Sequence, residues 1–176
     1  MQEPFSRVLR VGALPREGQT VTIEASPAER EALATLYKLP SIEALVATLV
    51  LKPTARDGVR VRGAVHGELT QVCVVSLEPF PATIDEALDV RFASRFDDES
   101  ARRRAEEPET LSMAEDEPDP IVDGKIDLGT LAEEFFALGI DPYPRKPGAL
   151  FEAPEQPEAT VSPFSALASR SPKRPD

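Results

Sequence analysis

Between Val59 and Leu77 the apolar residues fall on odd numbers: Val59, Val61, Val65, Leu69, Cys73, Val75 and Leu77, interrupted by Gly63, Gly67 and Gln71. The even positions are mainly polar: Arg60, Arg62, His66, Glu68, Thr70, Ser76 and Glu78. A period of two places these sets on opposite faces, so the pattern predicts one long strand over 59–77 with a core-facing apolar side. Gly63 and Gly67 predict bulges or sharp bends in it. "TIDEALDVRF" predicts another strand, with Ile84, Leu88, Val90 and Phe92 on one face. "SIEALVATLVLK" fits either helix or strand, but its β-branched content and the following "PTARDG" turn favour a strand that enters a hairpin. Near the start, "FSRVLRVGALPREGQTVTIEA" reads as two short strands around a Gly/Pro loop, the second ending near Ala25.

Two segments switch to helical spacing. In "SPAEREALATLYKL", Ser26 is a cap, Pro27 suits the first helical position and Glu29 completes a capping box. Ala32, Leu33, Leu36 and Leu39 then form one stripe, giving a helix over 26–39 that Pro40 stops. In the second half a turn at Asp123-Gly124 precedes a helix over 128–138, with Leu128, Leu131, Ala132, Phe135 and Leu138 on its buried face. Gly139 and Pro142 end it. These elements predict an α+β fold: a strongly bent antiparallel sheet or small open barrel, with one helix in each half of the chain.

Between the sheet and the second helix the composition changes. Residues 97–119 carry ten acids against three bases and few apolar anchors, which predicts a mobile acidic loop. After Arg145 six prolines occur in 31 residues, so 146–176 is expected to be a disordered Pro-rich tail on a single domain spanning 1–145. Within the tail "SPFSAL" is a small apolar island around Pro163, Phe164 and Leu167. A short helix formed on docking would put Phe164 and Leu167 on one side. The two, with Tyr143 and Arg145, are the candidate partner-binding residues.

The net charge of −11 changes the picture of what such a surface would bind. Nucleic-acid binding draws on Lys and Arg that neutralise phosphates, whereas an acidic chain attracts basic partners and speeds the encounter. A local basic patch of Arg56, Arg60 and Arg62 is the one feature that favours direct RNA contact, and a solvated strand face explains it equally well. No apolar run reaches the roughly 20 residues that cross a bilayer, and the N-terminus lacks a secretory pattern, so a soluble cytoplasmic chain with no membrane contact is expected.

The candidate chemistry is thin. Cys73, the only cysteine, is expected on the core face as a buried, inert thiol with a raised pKa. His66, the only histidine, is expected on the opposite face, out of reach of the thiol. The carboxylates of 97–119 lack a rigid setting for paired acid–base work. No phosphate-binding loop, dinucleotide fingerprint or nucleophile elbow occurs, so neither an enzyme nor a cofactor or metal site is expected.

"TQVCVVSLEPF", the acidic insertion, and then "DPIVDGKIDLGTLAEEFFALGIDPYPRKPGALFE" together resemble the YceD family, the large ribosomal RNA subunit accumulation proteins, in an alphaproteobacterial-type form. Many relatives carry a second cysteine three residues after the first and a further pair near the end of the domain. Position 76 here is Ser and "DPYPRKPG" has no cysteine, so any metal or redox role of those residues does not carry over. The resemblance implies a non-enzymatic factor for 23S ribosomal RNA accumulation and large-subunit assembly. It also implies a basic large-subunit ribosomal protein or a pre-ribosomal particle as partner, with RNA contact indirect and DNA not involved. The alternative is a module that binds the 23S precursor directly.

Overall fold

The computed structural model describes residues 4–54, 58–94 and 118–151. Its elements run β1 Val8–Arg10, a 3-10 turn, β2 Gln19–Glu24, α1 Pro27–Tyr37, β3 Ser41–Pro53, β4 Val59–Val72, β5 Pro79–Ser94, β6 Asp119–Ile121, β7 Lys125–Asp127 and α2 Leu128–Leu138. The main sheet is open, in the order β2-β3-β4-β5-β6, antiparallel except for the short β6, which runs parallel to β5. β1 and β7 form a separate two-stranded ribbon. The α+β class with one helix per half therefore holds, and the sheet does not close into a barrel. β6 begins at Asp119; the acidic segment before it lies almost wholly outside the described residues.

The period-two pattern places its apolar set inward. Leu45, Ala47, Leu49 and Leu51 of β3, Val59, Val61, Val65 and Leu69 of β4, and Ile84 and Leu88 of β5 are buried in one core with the helices. The glycines of β4 do a different job from the one expected. Register between β4 and both neighbours continues through Gly63 and Gly67, and the bulge lies instead on β3 between Ile42 and Ala44. A Cβ on Gly63 would collide with the backbone of Thr48 and Leu49, and one on Gly67 would meet the Phe136 ring. Their role is close approach of a neighbouring strand and of a helix side chain.

β4 ends at Val72, earlier than the alternation predicts, and residues 73–78 form a turn. Cys73 N–H donates to the Glu78 carbonyl and Leu77 N–H to the Cys73 carbonyl, each at 2.9 Å. Leu77 sits at φ +60° and is 76% exposed, so it is not a core residue. The Cys73 sulfur accepts the N–H groups of Val75 and Ser76, which gives the backbone an alternative to the ladder.

The second helix keeps both predicted ends and α1 its predicted start, but α1 stops at Tyr37, where Lys38 turns left-handed at φ +57°, short of Leu39 and Pro40; both helices are rotated relative to their predicted stripes. The α1 capping box forms between Ser26 and Glu29, and Leu33 and Ala34 are buried, whereas Leu36 is exposed and Ala32 faces outward. On α2 the buried aromatic is Phe136, with Phe135 only half-buried and Leu138 77% exposed. The hollow at Gly67 explains that choice, since only Phe136 can enter it. Asp127 caps α2, accepting from Gly129 N–H at 2.9 Å and Thr130 N–H at 3.3 Å. It also accepts Arg7 N–H at 2.7 Å and the Ser6 hydroxyl, which ties the N-terminal segment to the helix.

Candidate functional site

The outward face of the sheet is charged, and its charges are segregated along the strands. At the end near the β3–β4 hairpin, Lys52, Arg60 and Arg91 are register partners in one row across β3, β4 and β5. Arg62 and Asp89 pair in the next outward row. Asp89 accepts from Arg60 through both Nε and one terminal NH2 at 2.7 Å and from Arg62 Nε at 2.9 Å, which holds its carboxyl down to about 2. A row of small uncharged residues follows: Thr48, Ala64 and Ala87.

Beyond that row the sign reverses. His66 stands opposite Asp85, its Nδ1 2.7 Å from the Asp85 carboxylate, with Glu68 3.9 Å from Nε2. The Asp85 hydrogen bond, against an opposing loss of solvation and helped by the charges of Asp85 and Glu68, raises the His66 pKa. Glu43 joins them because the β3 bulge turns it onto this face, where it accepts the hydroxyls of Thr70, at 3.1 Å, and Ser41. Glu43, Glu68 and Asp85 form an exposed acidic cluster on three adjacent strands.

The acidic end runs into the 73–78 turn, where Val72, Val74 and Leu77 are exposed. The chain after α2 docks against this turn. Val74 N–H donates to the Pro144 carbonyl at 2.9 Å, the buried Gln71 amide to the Asp141 carbonyl at 3.0 Å, and the Lys146 amine pairs with Glu78 at 2.8 Å. Tyr143, 74% exposed, and Arg145, also exposed, are thereby held beside the turn. Exposed apolar side chains fixed in one place beside charge are the usual composition of a docking surface.

Cys73 is fully buried within this turn, but not in an apolar setting. Its thiol is lowered to about 6 because the Ser76 hydroxyl and N–H, with the N–H groups of Lys146 and Val75, outweigh the opposing desolvation. The expected raised pKa is corrected, since a cysteine that opens a turn meets backbone donors that a mid-strand residue never sees. Among the described residues no group of three or more His, Cys, Asp and Glu is arranged to hold a metal ion.

Of the four candidate partner-binding residues, the structure brings Tyr143 and Arg145 together at the turn, while Phe164 and Leu167, like Pro163 beside them, lie outside the described residues. Of the three basic-patch arginines, Arg60 and Arg62 share a face and a carboxylate, and Arg56 is outside the described residues. Sequence reading missed Leu77, Glu43 and Lys146. Pro79 and Pro81 were the signal for Leu77, because proline interrupts a ladder and marks the chain before it as a turn. The placement of Glu43 depends on a bulge that the apolar pattern of β3 does not disclose.

No helix among the described residues is long and apolar enough to cross a membrane. No curated protein and no solved structure matches the chain. The model of the family described as large ribosomal RNA subunit accumulation protein YceD matches residues 61–169, from within β4 through the acidic segment, the docked Tyr143 segment and most of the tail. The match covers more than half of the sequence, and the chain belongs to the YceD family, whose description names a role in the accumulation of large-subunit ribosomal RNA.

Proposed function

We propose that this protein is a non-enzymatic cytoplasmic factor that supports 23S ribosomal RNA accumulation by holding a basic large-subunit ribosomal protein, free or within an assembly intermediate. The observation that carries the reading is that Glu43, Glu68 and Asp85 share the outward sheet face that ends at exposed Val72, from which the turn with exposed Val74 and Leu77 and the docked segment with Tyr143 continue. Carboxylates spread over three strands steer a cationic segment toward the sheet, and the apolar turn supplies the contact that slows its release. The net charge of −11 adds long-range attraction of the same sign. Phe164 and Leu167 of the tail serve as a second contact on the same partner.

Because the steering is electrostatic, salt weakens the complex mainly by slowing association. Binding of the purified chain to isolated basic large-subunit proteins, compared with Leu77→Asp and with Glu43→Lys/Glu68→Lys, tests the reading. Loss of binding in both variants at unchanged melting temperature is expected. Full binding by both variants would place the partner elsewhere.

A further inference from the structure

Strand β5 leaves an edge of the main sheet open, and we infer that this edge takes an extended partner segment, cationic on one side and apolar on the other, as an added strand. β6 pairs only with Phe92, Ala93 and Ser94, so among the described residues no strand lies beyond β5 from Pro79 to Val90. Two observations show which backbone groups face that side. Cys73 N–H donates to the Glu78 carbonyl, one step beyond the Val72–Pro79 pair, so through the unbroken β4–β5 register the even residues of β5 bond to β4. Pro79 and Pro81, which have no N–H to give, stand at odd positions, as that phase requires. Thr83, Asp85, Ala87 and Asp89 therefore turn backbone N–H and C=O away from β4, and among the described residues nothing bonds to these backbone groups. At about 3.4 Å per residue, the edge from Thr83 to Asp89 is about 20 Å long.

The side chains along the edge name the occupant. Thr83, Asp85, Ala87 and Asp89 are exposed on the outward face, whereas Ala82, Ile84, Leu88 and Val90 lie on the core side, with Glu86 among them. A strand laid beside β5 sets alternate residues against one row and then the other. Lys or Arg on its outward side would face Asp85, whose side chain is 75% exposed. Apolar residues on its inner side would continue the core row above the end of α2, which lies close under β5: a Cβ on Gly139 would stand 2.4 Å from Ile84 Cγ2. The sequence over 97–119, with ten acids against three bases, adds attraction for a cation and none for an anion. A second copy of the chain is disfavoured, because it would set two chains of net charge −11 edge to edge. The inference rests on the reading that the partner is basic, and adds how that partner is held: main-chain bonds give affinity, and the alternating contacts give selectivity.

The test is calorimetric titration of the full chain with an eight-residue peptide of alternating lysine and valine, combined with residue-resolved amide exchange. The N–H groups of Thr83, Asp85, Ala87 and Asp89 should exchange fast in the free chain and about tenfold more slowly at free peptide ten times Kd. A fully N-methylated peptide, or one of alternating glutamate and valine, should not bind. Ala87→Pro removes one outward N–H and none that bonds to β4, and should weaken binding at least about tenfold in folded protein. The exchange and N-methyl arms use the natural chain, so they decide even if that variant does not fold. Absence of peptide binding, edge amides already slow in the free chain, binding that leaves them fast, or full binding by the N-methylated or glutamate peptide or by folded Ala87→Pro would overturn the inference. Basic large-subunit proteins that bind through Leu77, Glu43 and Glu68 but leave these amides fast would overturn it while the basic-partner reading stands. Peptide bound at the edge with no binding of any such protein would do the reverse.

Discussion

The Phe136 ring occupies the space that a side chain on Gly67 would need: a Cβ there would stand 2.5 Å from its Cε2 and 2.8 Å from its Cδ2. Phe136 is fully buried and makes an edge contact with Tyr37 of α1, ring centroids 6.3 Å apart, so one aromatic joins both helices to β4. Gly67→Ala should therefore destabilise the fold by about 1–3 kcal/mol through overpacking, read as a lower urea midpoint. In a Phe136→Leu background the same substitution should cost markedly less, since the ring that it strikes is gone. An equal cost in both backgrounds would mean that Gly67 is needed for something other than room for the ring.

Cys73 should titrate near pH 6, followed by thiolate absorbance at 240 nm in the native protein. The fold depresses this acid, so the stability that it contributes is complete above the unfolded thiol's pKa of about 8.5 and is lost as pH falls through about 6. Cys73→Ser keeps an acceptor for Val75 and Ser76 N–H and should cost little. Cys73→Ala leaves those donors unmet within a buried turn and should cost about 1–2 kcal/mol. Titration near 8.5 would show that burial outweighs the donors after all.

Glu29 ties the α1 cap to the N-terminal segment through Arg7, with NH1 and NH2 at 2.6 and 2.9 Å. The Arg7 hydrogen bond, against desolvation, brings its carboxyl to about 2. A depressed carboxylate stabilises the fold above its unfolded pKa of about 4.3, and that contribution disappears as pH falls toward about 2. Chemical denaturation between pH 5 and pH 2.5 should show a shallower loss of stability for Glu29→Gln than for the natural protein. Identical slopes would mean that the pair adds nothing, as many exposed pairs do.

His66 makes the acidic end sensitive to pH. Its pKa is raised by Asp85, so protonation sets in above the ordinary value of 6.5 and adds a positive charge among Glu43, Glu68 and Asp85. In the folded chain the charged form is favoured, which stabilises below the unfolded pKa and fades as pH rises through the folded one. Binding of a basic partner should run the other way, weakening as pH falls from 8 to 6. His66→Gln should flatten that dependence in calorimetric titrations, and an unchanged profile would remove His66 from the binding surface.

What could be read in advance depended on how local the cause was. Strand β4 and the buried residues of β5 were legible because alternation is a property of neighbouring residues, and Ser26, Pro27 and Glu29 announce the start of α1 within four positions. The rotation of both helices was not legible, because which stripe is buried depends on hollows supplied by distant strands. Phe136 was passed over for Phe135 since only Gly67, on another element, decides between them. The thiol's state turned on where β4 ends, a contest between one more strand turn and the donors that gather around a cysteine sulfur. The acidic cluster needed the register of three strands and a bulge, none of which is written in the charges themselves.

The central claim is that the acidic and apolar end of the sheet holds a basic large-subunit protein, and it is tested most directly by calorimetric titration of the full chain against purified basic large-subunit proteins at 50 and 200 mM salt. Binding by at least one of them, weaker at the higher salt and abolished by Leu77→Asp and by Glu43→Lys/Glu68→Lys in folded protein, is the predicted result. Binding of 23S ribosomal RNA fragments with no binding of any basic ribosomal protein would contradict it.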